Sequence, residues 1–197
     1  MRKRVDILGV NVDGITMDEA IKRIESFLAE NRVHTIFTPN AEIMMEAQRN
    51  PQLKDILNNS DLVTADGAGV VLASEILKRK LPEKVSGVDI VYQSFKYFEN
   101  KNVSFYFFGA KPGIAEKAAK KIKEAYPGIK IAGYRHGYFK EEEVASIIDD
   151  INSSGADILL VALGAPKQEN WINENKDMLN VKVCIGVGGT LDVLSGE

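Results

Sequence analysis

Short apolar runs alternate with amphipathic stretches along the chain, and this alternation constrains the fold more than any other feature. Residues 103–108 and 157–163 are largely apolar and rich in β-branched or aromatic side chains, which is typical of strands buried on both faces. Between them, residues 114–126 carry apolar side chains at helical spacing. The pattern predicts an α/β fold, with a Rossmann-like, mostly parallel sheet and helices on both of its faces.

The same reasoning extends over the rest of the chain. Further strands are predicted at residues 5–10, 33–37, 61–64, 129–132 and 181–187. Further helices are predicted from the capping box that opens at Thr16, from Asn40, over residues 69–80, 88–99 and 141–151, and from Pro166. No repeat, low-complexity tract or linker interrupts the series, so residues 1–197 are expected to form a single domain.

The last predicted helix is unusually short. Residues 190–197 begin a helix that stops before two turns are complete, and a helix of that length is marginal on its own. Either this piece packs on the sheet, or the natural protein continues beyond it. We favour the second interpretation and expect a further C-terminal segment.

Charge and cysteine content limit the partners and the compartment. The formal net charge is -3, which disfavours a nucleic-acid-binding protein. Cys184 is the one cysteine, so no internal disulfide can form, as expected for a reducing compartment. No apolar run has the roughly 20 residues that a membrane span needs, and the N-terminus lacks the pattern of a signal peptide. A cytoplasmic location is therefore predicted.

Four predicted strands end in glycine-rich turns that lead into helices. The turns read Ala65-Asp66-Gly67-Ala68-Gly69, Gly109-Ala110-Lys111-Pro112-Gly113, Gly164-Ala165-Pro166-Lys167-Gln168 and Gly186-Val187-Gly188-Gly189-Thr190. In an open parallel sheet the carboxyl ends of the strands share one edge, where ligands bind. Free amides and helix dipoles there favour an anion, and Lys111 and Lys167 add positive charge. Any one of these glycines can equally serve a tight turn, but together they predict a phosphate site.

Three polar residues follow strands at that edge. Asp66 can act as a general base towards a hydroxyl, or it can make an Asx-turn with the amides of Gly67 and Ala68. Thr38 and Asn40 can bind a polyhydroxyl ligand, although Asn40 can equally serve as a helix cap alone.

Several familiar motifs are absent from the sequence. Neither a Walker loop nor a GxGxxG fingerprint occurs, and no Asp-x-Asp element follows a strand. His34 and His136 have no partners at metal-ligand spacing, so no metal site is predicted.

Six short motifs occur in the order found in one enzyme family. They are Thr38-Pro39-Asn40, Ala65-Asp66-Gly67 with Gly69-Val70, Val85-Ser86-Gly87-Val88-Asp89, Phe108-Gly109 with Pro112-Gly113, Gly164-Ala165-Pro166-Lys167-Gln168-Glu169, and Gly186-Val187-Gly188-Gly189. In this order they resemble the WecG/TagA/CpsF glycosyltransferases over nearly the whole chain.

The resemblance implies an activity and its catalytic residues. It implies transfer of N-acetylmannosamine from UDP to the 4-hydroxyl of undecaprenyl-diphosphate-linked N-acetylglucosamine, with inversion, in the synthesis of the wall teichoic acid linkage unit. It further implies no metal and no cofactor. Asp66 matches the proposed base, and Thr38, Asn40 and Gln168 match polar residues of the pocket. Since inversion takes a single attack opposite the UDP, one base suffices.

Other residues are candidates for substrate binding. The loops at Gly109, Gly164 and Gly188, with Lys111 and Lys167, are expected to hold negative charge. Tyr138 or Phe139 can stack on uracil, and Asp192 can accept from a ribose hydroxyl, although ordinary packing or turn roles suit these residues equally. Lys84 stands where the family usually carries arginine. A lysine keeps the positive charge but cannot make the bidentate contact that an arginine makes to a diphosphate. If the sugar is a uronate, Arg135 or Lys84 can supply the cation.

The resemblance also implies partners. The family's basic and apolar C-terminal segment is expected to dock on the inner face of the plasma membrane and to supply arginines to the site. Without it, we expect weak activity and an apolar surface that favours homo-oligomers. A transferase of another sugar, a nucleotide-binding reductase and a non-catalytic sugar-nucleotide sensor remain as alternatives.

Overall fold

The computed structural model describes residues 4–197. Its strands are β1 (Arg4–Ile7), β2 (Val10–Asp13), β3 (His34–Phe37), β4 (Leu62–Val63), β5 (Ser104–Gly109), β6 (Lys130–Arg135), β7 (Ile158–Ala162) and β8 (Val183–Gly186). Its α-helices are α1 (Met17–Leu28), α2 (Ala41–Arg49), α3 (Pro51–Asn58), α4 (Ala68–Ile76), α5 (Gly87–Phe98), α6 (Ile114–Ala125), α7 (Val144–Ser154), α8 (Lys167–Asn175) and α9 (Thr190–Ser195).

Six strands form one sheet in the order β4-β3-β8-β7-β5-β6, and every pairing in it is parallel. Successive residues of each central strand face opposite sides, so Leu159 and Val161 join one apolar cluster, whereas Ile158 and Leu160 join the other. Helices α2, α3, α7 and α8 cover the first face, and α1, α5, α6 and α9 cover the second. The predicted Rossmann-like α/β fold is confirmed.

The first predicted strand, residues 5–10, is wrong. The chain turns at Leu8 and Gly9, both at positive φ, and folds back as the antiparallel hairpin β1–β2 outside the main sheet. Glycine tolerates this left-handed backbone, so a single glycine inside an apolar run hid a turn.

Other elements differ at their boundaries. The helix predicted from Asn40 is α2, and a second helix that was not predicted follows it: Asn50 ends α2 and also caps α3, which starts at Pro51. The helix predicted over residues 69–80 ends at Ile76, and β6 runs on to Arg135. Residues 141–143 form a 3₁₀ turn before α7.

The short C-terminal helix α9 is held by packing. Leu191 and Leu194 are buried in the cluster that covers the second face of the sheet, and the helix lies against α6. Gly189 is its N-cap residue.

Candidate active site

Strands β3 and β4 are neighbours at one side of the sheet, and they bring Thr38 and Asp66 to its carboxyl edge together. The amide of Asp66 donates to the Pro39 carbonyl at 3.3 Å, which extends the pairing of the two strands beyond their regular ends. Parallel strands lie about 4.8 Å apart. The sheet therefore places these two predicted site residues side by side.

Asp66 is oriented by the first turn of α5. Its Oδ2 accepts a hydrogen bond from the Gly87 amide at 3.0 Å, and Oδ1 receives none among the described residues. The amides of Gly67 and Ala68 are not its partners, so the Asx-turn alternative is wrong for this residue. One carboxylate oxygen is fixed and the other is available to a substrate.

The surroundings of Asp66 favour its protonated form. Partial burial raises the pKa of its carboxyl, whereas the Gly87 hydrogen bond and the charge of Lys84 lower that pKa, and the charge of Asp89 raises it. The net pKa lies above the ordinary value for aspartate. A raised pKa makes the ionised form a stronger proton acceptor, as a general base requires.

Gly87 is glycine because Thr38 lies against it. A Cβ on Gly87 would lie 2.8 Å from Thr38 Oγ1, which is too close for any larger side chain. Two hydrogen bonds hold this segment against the residues that follow β4: the Val85 backbone amide donates to the Ala65 carbonyl at 2.9 Å, and the Thr64 side-chain hydroxyl donates to the Val85 carbonyl at 2.7 Å. Thr38, Asp66 and Gly87 therefore form one polar cluster.

A cation lies beside this cluster. Lys84 Nζ is 3.4 Å from Asp89 Oδ2, and the Ser86 hydroxyl donates to the same oxygen. Ser86 is also the N-cap of α5. The arrangement holds the Lys84 ammonium near Asp66 while half of its side chain stays exposed.

Asn40 caps α2, with its Oδ1 accepting from the Ile43 amide at 2.9 Å. The capping alternative is thus observed for its oxygen. This hydrogen bond fixes Asn40 beside Thr38, and it uses the oxygen of the Asn40 side-chain amide to cap the helix.

Gln168 crosses from the end of β7 to the end of β8. Its side-chain oxygen Oε1 accepts a hydrogen bond from the Gly188 amide at 2.9 Å. Its backbone N–H donates to the Gly164 carbonyl at 2.9 Å. Three of the predicted site residues, Gln168, Gly164 and Gly188, therefore come together at the centre of the edge.

The glycine turn after β5 is shaped by β7. Gly109 has φ +135°, and a Cβ there would lie 2.2 Å from the Ala162 carbonyl oxygen. Gly113, at φ +87°, caps α6 and has open space around its Cβ position. Close packing of the strands thus explains Gly109, while the exposed Lys111 and the first turn of α6 remain suited to an anion.

Lys167 and Tyr138 lie on the other half of the edge. Lys167 Nζ is 4.6 Å from the centre of the Phe139 ring, and Tyr138 is 62% exposed. Asp192 lies in the first turn of α9, where it is partly buried. Among residues 4–197, no aromatic ring or cation stacks on the Tyr138 ring.

Arg135 lies far from Asp66. It ends β6, five strand spacings from β4, which corresponds to roughly 24 Å. Its guanidinium is ion-paired with Asp150 at 2.5 Å and with Glu143 at 3.4 Å. This placement argues against the predicted contact of Arg135 with a uronate beside Asp66.

The sequence matches the profile of the glycosyl transferase WecG/TagA/CpsF family over residues 5–197. The chain belongs to this family. The predicted resemblance is confirmed, and the carboxyl edge of its sheet carries all six motifs through which the WecG/TagA/CpsF family was recognised.

Two curated relatives carry the name N-acetylglucosaminyldiphosphoundecaprenol N-acetyl-beta-D-mannosaminyltransferase. The one from Bacillus spizizenii (strain ATCC 23059 / NRRL B-14472 / W23) is 33% identical over 172 residues, which are 87% of this chain and 66% of that protein. The one from Staphylococcus aureus (strain MRSA252) is 32% identical over 195 residues, which are 98% of this chain and 76% of that protein. The chain thus spans about two thirds to three quarters of these family members.

Two sizeable cavities lie away from Asp66. One of about 550 Å³ lies at the amino edge of the sheet, where Arg32 and Asp61 pair at 2.6 Å. Another of about 610 Å³ lies between Phe139 and Trp171, beside α8. The first cavity lies at the amino edge of the sheet, opposite the carboxyl edge at which open parallel sheets bind ligands.

Some features of the site lie beyond sequence reasoning. The sequence identifies Ser86, Gly87 and Asp89 only as part of a motif, and it indicates no role for Glu169. A Ser cap followed three residues later by Asp is visible in the sequence, but the contact of Gly87 with Asp66 spans 21 positions. Within residues 4–197, no group of three or more His, Cys, Asp or Glu side chains is arranged to hold a metal ion.

No helix within residues 4–197 combines the length and the apolarity that crossing a membrane requires.

Proposed function

We propose that this chain is the sugar-transferring part of an N-acetylmannosaminyltransferase acting on UDP-N-acetylmannosamine and undecaprenyl-diphosphate-linked N-acetylglucosamine. The observation that carries the proposal is the Asp66 carboxylate: its Oδ2 accepts from the Gly87 amide, its Oδ1 accepts no hydrogen bond among the described residues, and Thr38 packs against Gly87. The printed names of the two relatives supply the substrates. Family membership supplies the reaction class.

The reaction needs one proton acceptor and one anion site. The acceptor's 4-hydroxyl oxygen forms a bond to the anomeric carbon, its proton passes to Asp66 Oδ1, and the bond from that carbon to UDP breaks with its electron pair going to the diphosphate. Thr38 and Lys84 lie beside Asp66 and suit contacts to the sugar and its diphosphate. No covalent intermediate is needed.

The loops after β5, β7 and β8 are proposed to receive the UDP. Helices α6 and α8 begin there, so their free amides and dipoles favour the diphosphate. Lys111 and Lys167 are exposed at the same edge and add charge. Tyr138 and Asp192 remain proposals for uracil and ribose contacts.

Contact with a membrane surface is part of the proposal, because the acceptor carries a polyprenyl lipid. Helix α4 starts two residues after Asp66 and exposes Leu72 and Ile76, which are 57% and 74% exposed. Lys78 and Arg79 follow on the exposed end of the helix. An apolar strip with adjacent cations suits an anionic membrane surface, and homo-oligomers remain a second use for the same strip.

The direct test is transfer by wild-type protein and the Asp66→Asn variant. The variant keeps the shape and the Gly87 hydrogen bond but cannot take a proton, so transfer is expected to fall by about 10²-fold or more. UDP affinity, measured by calorimetric titration without added metal, should stay within twofold of wild type.

The matched control is Asp61→Asn, because Asp61 lies at the opposite edge of the sheet. Its transfer rate should equal that of wild type once folding is verified. Equal rates in Asp66→Asn and wild type would refute the proposed base, and UDP binding without any transfer in wild type would favour a sugar-nucleotide sensor.

A further inference from the structure

The carboxyl group of Glu169 is buried at the start of α8 and has no assigned role. The residue is 2% exposed, and its Oε1 accepts a hydrogen bond from Gln168 Nε2 at 2.9 Å. Its Oε2 is buried and has no hydrogen-bond partner among the described residues. Burying a carboxylate is costly, and an apolar side chain would avoid that cost. The contact with Gln168 is therefore the feature to explain.

Gln168 is fixed at both ends of its side-chain amide. Nε2 donates to Glu169, and Oε1 accepts from the Gly188 amide at 2.9 Å. The side chain is also confined from the side, since a Cβ on Gly186 would lie 3.1 Å from Nε2 and 3.0 Å from the Phe37 ring. The Gln168 amide therefore lies between Glu169 and Gly188, with the backbone of Gly186 beside it.

The two contacts select the same orientation of the Gln168 amide. An amide side chain has a donor end and an acceptor end. If it were flipped, Oε1 would face the Glu169 carboxylate and Nε2 would face the Gly188 N–H, so both contacts would become repulsive. With Glu169 removed, only the Gly188 contact would resist the flip.

We propose that Glu169 is a positioning residue that holds the Gln168 amide, and through it the Gly188 N–H and the loop between β8 and α9, in the arrangement that receives the donor. The identity of that donor as a UDP-sugar rests on the proposed function. The positioning itself rests only on the contacts among Glu169, Gln168 and Gly188.

Burial has a further effect on this carboxyl. It raises the pKa of Glu169, and the hydrogen bond from Gln168 opposes that rise. The contact with Gln168 therefore works in favour of the ionised form, which accepts the Nε2 hydrogen without competing as a donor.

The first test is exchange of the Gly188 amide hydrogen, followed by NMR in protein without ligand. Glu169→Met has a similar length but no acceptor, so Gly188 exchange should accelerate about tenfold or more, as it should in Gln168→Met. Glu169→Gln keeps an acceptor and should retain the wild-type rate. If Glu169→Met fails to fold, Glu169→Asp takes its place, because the shorter carboxylate does not reach Nε2.

The control for helix α8 is Glu174→Met, since Glu174 lies on the same helix and is exposed. Its Gly188 exchange rate should equal that of wild type. The proposal is overturned if Gly188 exchange is unchanged in Glu169→Met or Glu169→Asp, or if Glu169→Gln is as fast as they are.

The second test is titration of UDP against the same variants. UDP affinity should fall about tenfold in Glu169→Met and stay within twofold of wild type in Glu169→Gln. The double variant that combines Glu169→Met with Gln168→Met should bind UDP as well as Gln168→Met alone does. Additive losses would mean that Glu169 acts independently of Gln168 and would overturn the proposal. If wild type bound no UDP, the proposed function would fail, while the Gly188 exchange rates would still decide the positioning role.

Discussion

The Asp66 carboxylate has one oxygen held by a backbone amide and the other open. Holding Oδ2 on Gly87 fixes the direction in which Oδ1 faces, so no conformational search is left for the proton transfer. The hydrogen bond lowers the pKa of the group, but partial burial raises it more. The balance gives an oriented carboxylate with a pKa above that of an exposed aspartate, which suits the proposed role as a base.

Two neighbouring charges should move the pH profile of transfer in opposite directions. Lys84 lowers the pKa of Asp66, so Lys84→Ala should move the acid limb of the kcat/KM profile to higher pH. Asp89 raises the pKa of Asp66, so Asp89→Asn should move the acid limb to lower pH. Transfer falls below the pKa because a protonated Asp66 cannot accept a proton.

The measurement is kcat/KM from pH 4 to 8 for wild type and both variants, with Glu83→Gln as a control for exposed charge nearby. Shifts of the same sign in the two variants, or no shift in either, would show that another group governs the acid limb.

At the scale of elements, the glycine turns serve two purposes that the sequence does not separate. Gly109 allows β5 and β7 to approach, whereas Gly113 supplies a left-handed cap to α6. The sequence predicted both as parts of one anion loop. Only the distances to Ala162 show that Gly109 is required by packing.

Alanine substitution should therefore separate these two glycines. Gly109→Ala should lower the free energy of unfolding by about 3 kcal/mol or more. The added Cβ would overlap the backbone of Ala162, which is held in strand β7 and cannot move aside. Gly113→Ala has open space and should cost about 1–2 kcal/mol for the positive φ alone. Urea unfolding measures both costs, and equal values would contradict the packing explanation.

Most elements followed from the sequence because their signals are local. The apolar runs identified β5, β7 and β8, and the capping box at Thr16 placed α1 correctly. The hairpin at Gly9 was missed because one glycine looks the same within a strand and in a turn. The bond from Gly87 to Asp66 was beyond prediction because it depends on how α5 docks on the sheet.

At the scale of the whole molecule, the proposed base Asp66 lies just before α4, the helix that exposes the apolar strip. Asp66 precedes α4 by two residues, and Leu72 and Ile76 follow one to two turns along the helix. A lipid-linked acceptor reaching Asp66 would pass beside this strip. The arrangement joins the proposed chemistry to the proposed membrane contact.

Binding to vesicles tests that membrane contact. Wild type should co-sediment with phosphatidylglycerol vesicles at low salt, and the bound fraction should fall several-fold in the double variant Leu72→Ser, Ile76→Ser. Tyr134→Ser, which removes an exposed aromatic ring on β6, should bind as wild type does. Equal binding by all three proteins would contradict a membrane role for α4.

The position of the UDP site is the central claim, and amide hydrogen exchange with and without UDP tests it most directly. The account predicts that UDP slows exchange in the loops after β5, β7 and β8, including the Gly188 amide, and leaves the amino edge around Arg32 unchanged. Slowed exchange at the amino edge, with no change in those three loops, would contradict it.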